Sequence, residues 1–152
     1  MEGPDLVILK DKLKLFKGKK VLNAHGYAKL SHKKITGNKV IDIKTWGKHL
    51  LICFKNNTLK IHFGLFGIYR INDPKKGVNA SLALHFSNGE FGCYIAHPKL
   101  IEEDLDKVYD WQLDQLSPEY NPKKVKELLL RQSKEKQIGD LLLEPGIFSG
   151  AL

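Results

Sequence analysis

The sequence predicts an α+β fold, an antiparallel β-sandwich with flanking helices. Three observations lead there. Short apolar or alternating runs recur between residues 21 and 95. Most of those runs are closed by a tight-turn signal, the strongest being Asn88-Gly89. Helical spacing of apolar residues brackets the runs at both ends of the chain.

The elements follow in order. Pro4 suits the first turn of a helix, where its missing N–H would have no partner anyway. Leu6, Leu9, Leu13 and Phe16 then recur at helical spacing, with charged residues between, and Gly18 stops a helix read over residues 4–17. Strands are read at Val21–Ala24, Val40–Trp46, His49–Phe54, Thr58–Phe63, Phe66–Ile71, Ser81–Phe86 and Glu90–Ile95. Gly47-Lys48 and Ser87-Asn88-Gly89 are read as tight turns, and Asn56-Asn57 as a turn that tolerates positive φ. After residue 97 the spacing of Leu100, Ile101, Leu105 and Val108 predicts a helix over residues 98–108. Gln115–Tyr120 is a connector. Asn121 caps a further helix that begins at Pro122, carries Val125, Leu128 and Leu129, and ends near Gln132. A short helix with Ile138, Leu141 and Leu142 precedes Pro145-Gly146. These short helices cannot enclose a core of their own and must pack on the β unit or on a partner. The boundary is drawn at 1–115 for the sandwich and 116–152 for the helical remainder.

Composition sets limits. The chain has 152 residues, 42% of them hydrophobic and 28% charged, which argues against wholesale disorder. Its longest apolar runs are a few residues, such as Leu50–Phe54, far short of the roughly 20 needed for a transmembrane helix. The opening Met1-Glu2-Gly3-Pro4-Asp5 is no secretory signal. Two cysteines, Cys53 and Cys93, make neither a disulfide framework nor a tetrahedral zinc site by themselves and read as small core residues. A reduced, cytoplasmic protein is the expectation.

The net charge of +8 is unevenly spread. Residues 1–60 hold 14 lysines against four acids, whereas residues 61–152 hold 11 basic and 13 acidic residues. That asymmetry points to a polyanion such as nucleic acid, or to a lysine-rich surface that serves solubility. No Gly-rich phosphate loop, His-Glu-x-x-His or Gly-x-Ser-x-Gly motif is present, and the six histidines are scattered.

Several motifs come in a telling order: Met1-Glu2-Gly3-Pro4-Asp5, Trp46-Gly47-Lys48-His49-Leu50-Leu51, and Ile61-His62-Phe63-Gly64-Leu65-Phe66-Gly67-Ile68-Tyr69-Arg70. Leu113-Asp114, Asn121-Pro122 and Leu141 to Gly150 follow. Together they resemble the formamidopyrimidine-DNA glycosylase/endonuclease VIII family of base-excision repair enzymes. The Glu-Gly-Pro opening is similar to the endonuclease VIII branch. The resemblance implies a catalytic β-sandwich followed by the start of a helix–two-turn–helix module. It also implies an N-glycosylase with abasic-site lyase activity on oxidised bases in damaged double-stranded DNA, in a bacterial-type, nucleoid-associated setting.

The implied site residues are carried over one by one. The family's nucleophile is an N-terminal proline amine; here Met1 precedes Glu2, so Met1 would supply a primary α-amine and Glu2 would handle protons at the sugar. Lys48 would contact phosphate and assist, and His62 would touch a phosphate. Gly64, Leu65 and Phe66 match the loop that fills the hole left by a flipped base, although on residue type alone Leu65 and Phe66 read as core. Gly64 replaces a polar side chain of the family pattern. Arg70 ends the matching segment, and Lys33 and Lys34, with Lys29 and Lys39, would widen the phosphate footprint. The sequence as read stops before the family's Gly-Asn turn and zinc finger, so no cofactor is expected, the isolated chain is expected to be weak or inactive, and the faces of Val125, Leu128 and Leu141 could pair two copies. The alternative is a non-catalytic DNA-binding or damage-recognition remnant of the family; a further one is a protein-interaction module with solubilising lysines.

Overall fold

The computed structural model describes residues 2–132. Met1 and the expected helix around Ile138–Leu142 lie outside the described residues, as does the Leu141 to Gly150 motif.

Helix α1, Gly3–Lys12, runs into a 3-10 turn over Leu13–Phe16. The Glu2 N–H that begins it donates to Asp5 Oδ2 at 3.1 Å, so Asp5 takes the helix-capping role. The apolar positions read from the sequence form one fully buried stripe: Leu6, Leu9, Leu13 and Phe16. Phe16 stacks on Phe86 with ring centroids 4.3 Å apart. Each such side chain is worth about 1.5–3 kcal/mol of burial, which pins the helix, and with it Glu2, to the sandwich.

Eight strands follow: β1 (Asn23–His25), β2 (Asp42–Trp46), β3 (His49–Cys53), β4 (Thr58–His62), β5 (Ile68–Ile71), β6 (Leu82–Phe86), β7 (Gly89–Tyr94) and β8 (His97–Ile101). They form two antiparallel four-stranded sheets, ordered β1-β6-β7-β5 and β2-β3-β4-β8. Period-two alternation sends Leu50, Ile52, Leu59, Ile61, Leu82, Leu84, Phe91 and Cys93 into the shared core. Cys93 is buried there with its thiol pushed up to about 12 by desolvation, and Cys53 is half-buried.

One expectation is corrected. Residues 98–101 are not helical: they belong to β8, which pairs with β4 in the register Lys60↔Lys99. Only Leu105–Val108 (α2) makes a helical turn. The misleading signal is the pair Leu100-Ile101. On a strand these neighbours point to opposite faces, and both faces are covered here: Leu100 packs on the sandwich core and Ile101 on an outer cluster with Trp46, Leu51 and Tyr109. The turn expected at Asn56-Asn57 joins β3 to β4 without positive φ at either residue, closed by Phe54 N–H donating to the Asn57 carbonyl at 2.9 Å.

Helix α3, Pro122–Gln132, starts as expected, with Asn121 Oδ1 accepting from the N–H groups of Lys123 and Lys124. Its Val125 is not an exposed pairing face. It is buried against Leu113, with Tyr120, Leu128 and Leu129 packed around. The short helix is thus stabilised by the segment that precedes it.

Candidate functional site

The β2–β3 turn presents Lys48, and the turn needs Gly47 because its φ of +58° is costly for a residue with a Cβ. Asp114 holds this turn from outside the hairpin. Its Oδ2 accepts from Gly47 N–H at 3.3 Å and its Oδ1 from Leu116 N–H at 3.0 Å. Asp114 is 1% exposed, and burial raises its carboxyl pKa. Asp114→Ala would orphan the Gly47 N–H. It is expected to cost about 1–3 kcal/mol in urea unfolding and to loosen Lys48.

Lys48 Nζ sits 3.6 Å from Glu2 Oε2. The two side chains are 39% and 56% exposed, and a pair that wet contributes at most about 1 kcal/mol. Fold stability therefore does not account for the placement. Two residues 46 positions apart meet at the start of α1, beside the peptide that joins Glu2 to Met1. The position of Met1 itself lies outside the described residues.

Next to Lys48, register alignment sets three histidines side by side: His49 on β3, His62 on β4 and His97 on β8. His49 Nδ1 is 2.9 Å from Tyr109 Oη, and its ring is edge-on to His62 at 5.5 Å. Burial, then the charges of Lys60 and His62, pull the His49 pKa down to about 4. His62 is also lowered, first by burial and then by His97, Lys60 and Lys48. Both rings are neutral at pH 7. The unfolded chain takes up protons near pH 6.5 that folded His49 refuses until about pH 4. Stability is therefore expected to be full above pH 6.5 and to fall by on the order of 3 kcal/mol as pH drops to 4. Urea midpoints across that window check this, and His49→Gln should flatten the decline.

Leu65 and Phe66 lie in the loop between β4 and β5, 84% and 73% exposed. The core reading of these residues is wrong: they project into solvent. Phe63, at the loop's start, is buried and meets Tyr69 edge-on at 6.5 Å, so the loop's base is anchored while its apolar tip is free. Gly67 closes the loop, and a Cβ there would collide with the Phe63 carbonyl. Gly67→Ala is expected to cost more than about 1 kcal/mol, read as a lowered thermal midpoint. Gly64 opens the loop ahead of Leu65, at the end of the second sheet that carries Lys48.

The other candidates are spread out. Arg70 points from β5 on the outer face of the first sheet and bonds Asp73 at 2.9 Å. It lines a cavity of about 560 Å³ with His25, His85 and Glu90, away from the Glu2–Lys48 corner. Lys34 is paired with Glu102, and its carbonyl accepts from Asn57 at the β3–β4 turn, the opposite end of the second sheet from Lys48. Lys33 shares that 3-10 turn, His32–Lys34. Sequence reading assigned no role to Asp114, His49, Tyr109, His97, Lys60 or Lys99. Asp114 and His49 stand in motifs quoted above, His97, Lys60 and Lys99 become neighbours through strand register, and Tyr109 reaches His49 from the segment after α2.

The chain matches the sequence model of the formamidopyrimidine-DNA glycosylase N-terminal domain over residues 2–97. It belongs to that family. The fold agrees. A viral DNA glycosylase superposes with a TM-score of 0.80 at 15% identity, over 99% of this chain and 66% of that one. The Lactococcus lactis formamidopyrimidine-DNA glycosylase, non-covalently bound to abasic-site DNA, gives 0.77 at 20% identity, over 99% and 65%. The same Lactococcus lactis protein with a tetrahydrofuran-containing DNA and an inhibitor gives 0.79 at 20%, over 99% and 62%. The chain thus spans just under two thirds of the length of these proteins. No curated protein sequence matches it.

Proposed function

We propose that this chain carries out the glycosylase and abasic-site lyase chemistry of DNA base-excision repair on oxidised bases, with the α-amine of Met1 as nucleophile. The observation that carries the reading is the 3.6 Å approach of Glu2 and Lys48 at the head of α1. An amine attached to Glu2 would have within reach both a carboxyl group to move protons and an ammonium to hold a phosphate. The family membership and the DNA-bound structural neighbours support damaged duplex DNA as the partner.

The chemistry balances with these groups. The Met1 nitrogen bonds to C1′ of a nucleotide turned out of the stack, the glycosidic C–N bond breaks, and the base leaves with its electron pair and a proton. Glu2 protonates the sugar ring oxygen as the ring opens, and the nitrogen sheds its proton to give an iminium. Loss of a C2′ proton then expels the 3′ phosphate by β-elimination. A primary α-amine has a reference pKa of about 7.7–8.0, so a usable neutral fraction exists near pH 7.

Borohydride trapping on abasic-site duplex tests the reading. The expected result is a covalent adduct mapped by mass spectrometry to Met1. No adduct at any pH from about 6 to 9 overturns it, since the amine titrates within that range. Salt-sensitive DNA binding without an adduct would instead mark a non-catalytic damage-binding member of the family.

A further inference from the structure

The segment from α2 to Leu113 packs on part of the second sheet's outer face. Tyr109, Trp111 and Leu105 lie on Trp46, Leu51 and Ile101, and Lys44 Nζ stands 5.4 Å over the Trp111 ring. Beyond Ile101, the β4–β8 side carries two cross-strand pairs of basic residue types, His62↔His97 and Lys60↔Lys99, with His97 and Lys99 exposed. Two lysines directly opposite on one face of a sheet, as Lys60 and Lys99 are, work against folding. Among the described residues neither Lys60 nor Lys99 forms an ion pair with a carboxylate, whereas nearby Lys34 is neutralised by Glu102. Lys60 and Lys99 share a groove of about 550 Å³ with Lys29, Ser31 and Lys34; two carboxylates also line it, Glu102, which pairs with Lys34, and Glu103.

We propose that His62, His97, Lys60 and Lys99 form a phosphodiester subsite that carries a nucleic-acid strand from the Glu2–Lys48 corner along β4 and β8 towards Lys29 and Lys34. This rests on the nucleic-acid reading above and adds where the flanking strand runs. Protection of a sheet edge accounts for Pro98 and Lys99, because β8 is an edge strand. It does not account for Lys60, which sits on β4 between two paired neighbours. The strip joins two basic groups that would otherwise be separate sites, Lys48 at one end of the sheet and Lys29 with Lys34 at the other. Four strand residues separate the His62 and Thr58 ends of β4, about 14 Å. That is the axial span of about four base pairs at roughly 3.4 Å each.

The test uses the full chain and fluorescence anisotropy on abasic-site duplexes. One duplex ends two pairs beyond the lesion on both sides, and two others extend about eight pairs on the 5′ or the 3′ side only. Lys60→Gln/Lys99→Gln is expected to weaken binding of one extended duplex and to lower the magnitude of its log–log salt slope by about 1.8, from two lost phosphate contacts. Between roughly 50 and 200 mM salt the wild type would then lose about tenfold more affinity than the variant. The thermal midpoint at low salt should not fall, because a like-charge pair is removed; Lys60→Arg/Lys99→Arg should keep both slope and affinity. Unchanged slopes on both extended duplexes overturn the subsite while leaving the DNA reading intact. Wild type that binds none of the duplexes overturns both.

Discussion

Glu2→Gln is expected to cut strand nicking of an abasic-site duplex by roughly 10²–10⁴-fold, the usual worth of a positioned proton-transfer group. The fold should be indifferent. Glu2 and Lys48 are both substantially exposed, and their ion pair contributes at most about 1 kcal/mol. Affinity for the duplex should hold or rise slightly, because a carboxylate is removed from the corner where the proposed function puts a phosphate. Lys48→Gln should lose affinity and, with the substrate less well held, turnover, since the proposed role of its ammonium is to hold a phosphate. In the double variant the losses should be far from additive if the residues act on one step. Single-turnover nicking and anisotropy on the same duplex separate the two effects. Wild-type turnover in Glu2→Gln would remove Glu2 from the chemistry and leave its contact with Lys48 as surface electrostatics.

Some of this structure can be read from the sequence because it is local. The stripe from Leu6 to Phe16, the hairpin turns at Gly47 and Gly89 and the Asn121 cap are set by nearest neighbours in the chain, and all appear where expected. The β8 segment is not local. Leu100-Ile101 looks helical until a partner strand and an aromatic cover exist on opposite sides of it. The candidate site divides the same way. Lys48 and Glu2 carry no periodic signal; the motifs that resemble the family single them out, and the fold brings them together. Lys33, Lys34 and Arg70 are basic residues in the right stretch of sequence, yet they end up at the far end of one sheet and on the outer face of the other. The histidine row is invisible to any linear reading, since residues 49, 62 and 97 become neighbours through two registers.

The loop tip yields the second large effect. Leu65 and Phe66 are the two most exposed large apolar side chains among the described residues, at 84% and 73%, on a loop whose ends are fixed by buried Phe63 and by Gly67 packed on its carbonyl. Apolar surface held out in water on a braced loop costs solvation, and under the proposed function that surface meets the DNA. A base turned out of a duplex leaves an unstacked gap, and an inserted apolar side chain offsets a penalty of a few kcal/mol per step. Leu65→Ala/Phe66→Ala is therefore expected to leave thermal stability unchanged within about 0.5 kcal/mol. It should slow base excision from a fully paired lesion duplex by roughly 10–10³-fold, the equivalent of about 1.4–4 kcal/mol. On a single-stranded abasic substrate the same variant should match wild type, because no stack has to be replaced. A variant that is equally slow on both substrates would assign the loop to general binding, and one that unfolds would return Leu65 and Phe66 to the core.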